Sequence, residues 1–200
     1  MTARDSAIET IRTEHRSMRA VMKALQTMLA AIAAGQTAAD HGLLSAAVYY
    51  LDEFPEKTHH PKEDRMLFPV IRAHGLHGAL LDELQREHGR GEALILEMHR
   101  SLVHYLAGAR HGLADLISAV DAYAAHHASH SRREEQLLAE AGEVLSGPEW
   151  RTVAEAYAAS EDPVFGPKCR AEFRRLHDCV LALMPRRLWA AGPRPTVDGV

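Results

Sequence analysis

The sequence predicts an all-α fold: an up-down-up-down four-helix bundle with a short C-terminal helical extension. Three observations predict it. Alanine, leucine and charged residues dominate, while β-branched residues and alternating apolar patterns are sparse. Apolar residues recur at spacings of three and four through four successive stretches, and glycine or proline falls between them. The bundle is expected over residues 1–146. The extension is expected over 147–200, packed on the bundle and ending in a flexible tail.

The first helix is predicted over about 5–34. Its seam is Ile8, Ile11, His15, Met18, Met22, Leu25, Leu29 and Ile32, with Gly35 as its stop. The second, over about 40–73, carries Leu44, Val48, Leu51, Pro55, His59, Glu63, Met66 and Val70 on one stripe. Pro55 and Pro61 each remove a backbone donor, so a kink near His59 is expected, or a break with Pro61 opening a new segment. The third, over about 77–110, repeats the seam with Leu81, Leu84, His88, Gly91, Ile95, Met98 and Leu102. The fourth, over about 112–145, presents Leu116, Val120, Tyr123, His127, His130, Glu134 and Leu137. Gly147-Pro148 marks a boundary. Two shorter helices over about 148–160 and 168–185 flank a DPVFGP turn, with Phe165, Phe173 and Leu176 expected to dock on the bundle.

Bulk properties exclude several roles. A formal net charge of -4 with interspersed signs forms no basic face for nucleic acid. The N-terminus has no apolar signal core, and no stretch approaches a membrane span, so a cytoplasmic protein is expected. Two cysteines, Cys169 and Cys179, are too few for a disulfide scaffold or a thiolate metal site. Fourteen histidines remain to be explained.

Eight residues form one phrase written twice. Glu14-His15 is followed by His59 and Glu63, and Glu87-His88 is followed by His130 and Glu134. Histidine and glutamate at i and i+4 share a helix face, and each phrase is half of a dinuclear site. Depth agrees. At the α-helical rise, His15 lies about 15 Å and His88 about 16 Å from the starts of their helices. Counted back from the helix ends, Glu63 and Glu134 lie at about 15 Å and 16 Å by the same rise. Neutral imidazoles suit iron, zinc and copper, and carboxylates bridge two hard cations. Four histidines and two carboxylates leave open positions for water, dioxygen or another small ligand.

Other residues near the stripe read differently. His60, Asp64 and Glu135 sit one position round from it and are expected to support the ligands or face solvent. Glu92 is expected to contact a ligand rather than a metal, and His126 and His127 stand open between a metal contact and a structural role. His41, His74, His77, His99, His104, His111 and His177 match no motif and are expected at the surface or in loops.

Over about residues 5–145 the chain resembles the hemerythrin family, in its HHE cation-binding branch. The matching pieces are TEHRSMR around His15, HHPKEDRMLFP around His59 and Glu63, REHGRGEALI around His88, and HSRREEQLL around His130 and Glu134. The resemblance implies a four-helix bundle holding two non-heme iron ions, bridged by carboxylate and by an oxo or hydroxo group. Its ligands would be His15, His59, Glu63, His88, His130 and Glu134. Family members are associated with dioxygen binding, with sensing of oxygen, nitric oxide or redox state, and with iron handling. Related di-iron proteins repair damaged iron–sulfur clusters. Oxygen carriers of the family have His-x-x-x-His on the third helix, where this chain has His88-x-x-x-Glu92. Simple oxygen storage is therefore not expected.

The leading expectation is a di-iron protein that binds or senses a small diatomic ligand, dioxygen or nitric oxide. A di-iron oxidase or peroxidase, an iron-handling or iron–sulfur repair protein, and a metal-free helical interaction protein are the alternatives. The ferritin-like enzyme pattern is disfavoured because a Glu-x-x-His spacing in the seams occurs only at Glu56 and His59. A zinc hydrolase is disfavoured because His-Glu-x-x-His is absent.

Overall fold

A computed structural model describes residues 1–184 apart from 76, 159, 160 and 168. The described residues are helical and contain no strand. The expected tail lies outside them.

Helix α1 (Ala3–Ala33) opens on a capping box. The Thr2 hydroxyl accepts from the Asp5 amide, and the Asp5 carboxylate accepts from the Thr2 amide. Gly35, at φ 66°, turns the chain after it. Helix α2 (His41–Leu51) is capped by the Asp40 carboxylate, which accepts from the Leu43 amide.

Beyond Leu51 the chain stays helical without a break. It widens into a π-helical stretch π1 (Asp52–His59), passes through the short α3 (His60–Lys62), and widens again as π2 (Glu63–Leu67) before α4 (Phe68–Ala73). The amide of His60 donates to Pro55 and that of Phe68 to Glu63, each five residues back. Pro55 offers no N–H to the Leu51 carbonyl, and the Tyr123 hydroxyl contacts that carbonyl instead, at 3.4 Å. Proline coincides here with the wider register, in which a carbonyl accepts from the residue five further on.

Helices α5 (Gly78–Leu106) and α6 (Gly112–Val144) follow. The pairing is cyclic: α1 packs on α2 and α6, and α5 packs on α2 and α6. Between them lie two apolar clusters. One holds Met18, Leu25, Leu51, Met98 and Val120, and the other Ile11, Leu67, Leu84 and Leu137. A layer of buried histidine and glutamate separates the two.

Helix α7 (Gly147–Ala156) begins at a Ser146–Glu149 capping box and packs on α1 and π2. Helix α8 (Arg174–Leu183) packs on α1 and α2. Phe173 and Leu176 are fully buried in the first cluster, Phe165 is half-buried against it, and Trp150, Val153 and Tyr157 complete the second. Each fully buried side chain of this size contributes about 1.5–3 kcal/mol. Asp162 anchors the turn between them by accepting from the Tyr50 hydroxyl and from the amides of Val164 and Phe165.

Candidate metal centre

Five helical segments bring one layer of donors together. His15 comes from α1, His59 from π1, Glu63 from π2, His88 from α5, and His130 and Glu134 from α6; all six are buried. They fall into two groups of mutually close donor atoms. One is His15, His59, Glu63 and Glu134; the other is His60, Glu63, His88 and His130.

Glu63 belongs to both groups. Its Oε1 lies 2.8 Å from His59 Nε2, and its Oε2 lies 3.4 Å from His88 Nε2. Glu134 Oε2 stands 3.1 Å from His15 Nε2 and 3.9 Å from His130 Nε2. The imidazoles pair as well, Nε2 to Nε2, at 3.0 Å for His15 with His59 and 3.2 Å for His88 with His130. Each α-helical hairpin therefore supplies its own histidine pair, while each carboxylate reaches across to the other hairpin.

Three of the four rings are fixed from behind. His59 Nδ1 donates to Glu14 at 2.8 Å, His88 Nδ1 to Asp64 at 3.0 Å, and His130 Nδ1 to Glu87 at 3.1 Å. Donation from Nδ1 leaves the Nε2 lone pair facing the interior, as a metal ligand requires. Glu14 and Glu87 are the first members of the repeated phrase. Each precedes one histidine in sequence and orients another on the following helix.

The electrostatics of the layer are those of anions awaiting cations. Neither oxygen of Glu63 or of Glu134 has a hydrogen-bond partner, although both side chains are fully buried. Only imidazole nitrogens stand beside these oxygens, and a buried carboxylate is costly unless a positive charge faces it. Burial and the neighbouring Glu63 charge push Glu134 up to about 7. Burial also opposes charge on Glu63, but His59 outweighs it and holds Glu63 well below the usual carboxylate range. His59 itself is raised well above its usual value, because Glu63 and Glu14 overcome its burial. Burial drives His130 down to about 3. Two donors at right angles, each about 2.1 Å from one ion, are about 3.0 Å apart, the scale of the contacts above. The residues fit a pair of metal ions.

The neighbouring residues sort differently from the sequence expectation. His60 is buried, not at the surface: its ring stacks on His88 at 4.4 Å and its Nδ1 meets Glu56 at 3.2 Å. Asp64, half-buried, holds His88, whereas Glu135 is half-buried and faces Arg19. Glu92 is exposed and contacts no member of the layer. Gly91 takes the interior position instead, and a Cβ there would lie 2.8 Å from the Glu56 carboxylate. Glu56 thus occupies the space beside α5, where Tyr123 donates to it at 2.7 Å and burial pushes it up to about 7. His126 is half-buried, with Nε2 on the Glu87 carbonyl at 3.0 Å. His127 is buried, its Nδ1 bonded to Ser131 and its Nε2 without a partner. The remaining histidines are peripheral; His74, His77, His99 and His177 form ion pairs near the surface.

A family model, the hemerythrin HHE cation binding domain, matches residues 6–142. The chain belongs to this family. No curated protein sequence matches it. The family match ends before α7, so the hemerythrin domain contains the whole donor layer, and α7 and α8 lie beyond it. No helix among the described residues is long and apolar enough to cross a membrane. The cation-binding character of the family and the two buried donor groups agree on metal binding.

Proposed function

We propose that this hemerythrin-like protein holds two non-heme iron ions and uses them to bind or sense a small diatomic ligand, dioxygen or nitric oxide. One ion is assigned to His15 and His59, the other to His88 and His130, with Glu63 and Glu134 shared between them. The observation that carries the reading is Glu63: buried, unpaired by any hydrogen bond, with one oxygen turned to each histidine pair. Histidine with carboxylate is a donor set suited to iron, and an iron pair supplies reversible ligand binding and one-electron chemistry. The protein's part is to fix the Nε2 atoms through Glu14, Asp64 and Glu87 and to keep bulk water away with the apolar clusters.

The same reading takes residues 1–146 as an up-down-up-down bundle and 147–200 as a separate cover. Arg4 reaching Glu143 and Gln26 reaching Asp121 support an antiparallel α1 and α6, and His130 reaching Glu87 with Arg133 reaching Glu83 supports the same for α5 and α6. A cytoplasmic setting is part of the proposal.

Anaerobic reconstitution with ferrous iron tests it. Elemental analysis is expected to give two irons per chain, and the oxidised protein a visible absorption that shifts on adding azide. Iron content near zero overturns the reading, and zinc or manganese retained in preference to iron overturns the choice of metal.

A further inference from the structure

The donor layer is flanked unequally, and on the α7 side the buried Tyr157 hydroxyl stands among apolar neighbours. One turn away toward α7, the positions next to the ligands are Ile11, Leu67, Leu84 and Leu137, all apolar and fully buried. One turn away on the other side stand Glu56 before His59 and His127 before His130, backed by Tyr123 and His60.

The repeat extends into this side. Glu56 and His127 occupy equivalent positions, and each bonds the residue four further on: Glu56 to His60, His127 to Ser131. Their remaining contacts differ. Tyr123 and His60 occupy both carboxylate oxygens of Glu56. His127 is 3 % exposed and keeps Nε2 without a partner. Its ring centroid lies 6.3 Å from that of His15 and 6.2 Å from that of His60, yet it belongs to neither group of converging donors. A buried polar atom without a partner is rare and calls for an occupant.

We infer that the side of the metal pair lined by Glu56, Tyr123, His60 and His127 is the seat of the exogenous ligand, with His127 Nε2 as its hydrogen-bond donor. The inference rests on the iron-pair reading and deepens it. When the Ser131 hydroxyl donates to Nδ1, Nε2 carries the ring proton and faces the interior. The ligand class follows: a small molecule that takes an open metal position and presents an electron-rich outer atom, such as dioxygen, nitric oxide or azide. A surface cleft of about 310 Å³ lined by Asp52, Glu56, Lys57, Glu92 and His99 reaches Glu56 from outside and leads to this side.

Azide titration of the iron-loaded chain, read by its azide-to-iron absorption, tests the seat in His127→Leu and His127→Gln, with metal analysis and thermal melts on each. Two irons per chain with azide binding roughly tenfold weaker in His127→Leu, the loss of one hydrogen bond to a charged group, is the expected result. His127→Gln keeps a donor and is expected to weaken binding about twofold to fivefold by the same reasoning. Should leucine unfold the chain, the glutamine variant decides alone. Unchanged azide affinity at full iron content overturns the seat. Loss of one iron from the variant overturns it too, by making His127 a metal ligand. A parent chain without iron fails at the metal analysis, before azide is added, and overturns both readings together.

Discussion

Removing the Glu14 carboxylate isolates the part that buried acids play behind the metal ligands. Glu14 and His59 are 1 % and 0 % exposed, and their oxygen and Nδ1 are 2.8 Å apart. A hydrogen bond to a charged group contributes about 1.5–3 kcal/mol. Loss of a partner behind a ligating histidine typically weakens metal binding about 10- to 100-fold, or about 1.4–2.8 kcal/mol. The two ranges agree. Water has little access to replace the missing oxygen, so Glu14→Ala belongs at the upper end, roughly 50- to 100-fold. Glu87 makes the equivalent bond to His130, but its side chain is 14 % exposed and is shared with Arg133. Glu87→Ala is therefore expected near tenfold. Competition against a chromophoric ferrous chelator under anaerobic conditions measures both. Glu14→Ala within threefold of the parent chain, or a larger loss in Glu87→Ala, would refute the orienting role.

Three further outcomes are expected. The metal-free protein should lose stability between pH 7 and 9. His88, raised to about 9 because Asp64 and Glu63 overcome its burial, contributes stability fully present below its unfolded value and lost as pH rises through 9. The loss is about 3 kcal/mol at most, and urea melts at the two pH values should show it in the metal-free but not the iron-loaded protein. Gly91→Ala should raise helix propensity by about 1 kcal/mol yet displace the Glu56 carboxylate from Tyr123, at a cost of about 1–3 kcal/mol. A lower thermal midpoint is expected, and a higher one would mean that Glu56 moves freely. Asp162→Ala should cost about 2–4 kcal/mol through three lost hydrogen bonds while leaving iron content unchanged, measured by melts and metal analysis.

Much of the site could be read from spacing. His15, His88 and His130 fall on apolar seams, and an i, i+4 glutamate shares the face of His59 and of His130, so the donor layer follows from helical geometry alone. The doubled phrase also contained Glu14 and Glu87, but their targets lie on the next helix, beyond the reach of local periodicity. Glu92 misleads for a reason of angle. Glu92 is rotated about 40° from His88 one way and Gly91 about 60° the other, so periodicity alone does not decide between them. The Glu56 carboxylate decides it, because only glycine leaves room for it. Pro55 and Pro61 announce a disturbed helix, but its π-helical form is not written in local spacing.

The crossing of the carboxylates bears on how the chain is held together. Each hairpin supplies its own pair of nitrogens, but the first also supplies Asp64 behind His88, and each sends its glutamate toward the other hairpin's histidines. The two ions proposed for that layer would be cross-links between halves, comparable to a pair of staples through the interior. Without them the seam between the hairpins juxtaposes Glu63 and Glu134 in a dry layer, a mutual repulsion at the centre of the molecule. That seam is where the folded chain has most to gain from a cation and least to hold it shut without one. On the proposed occupancy, metal loading and closure of the two halves would be one thermodynamic event.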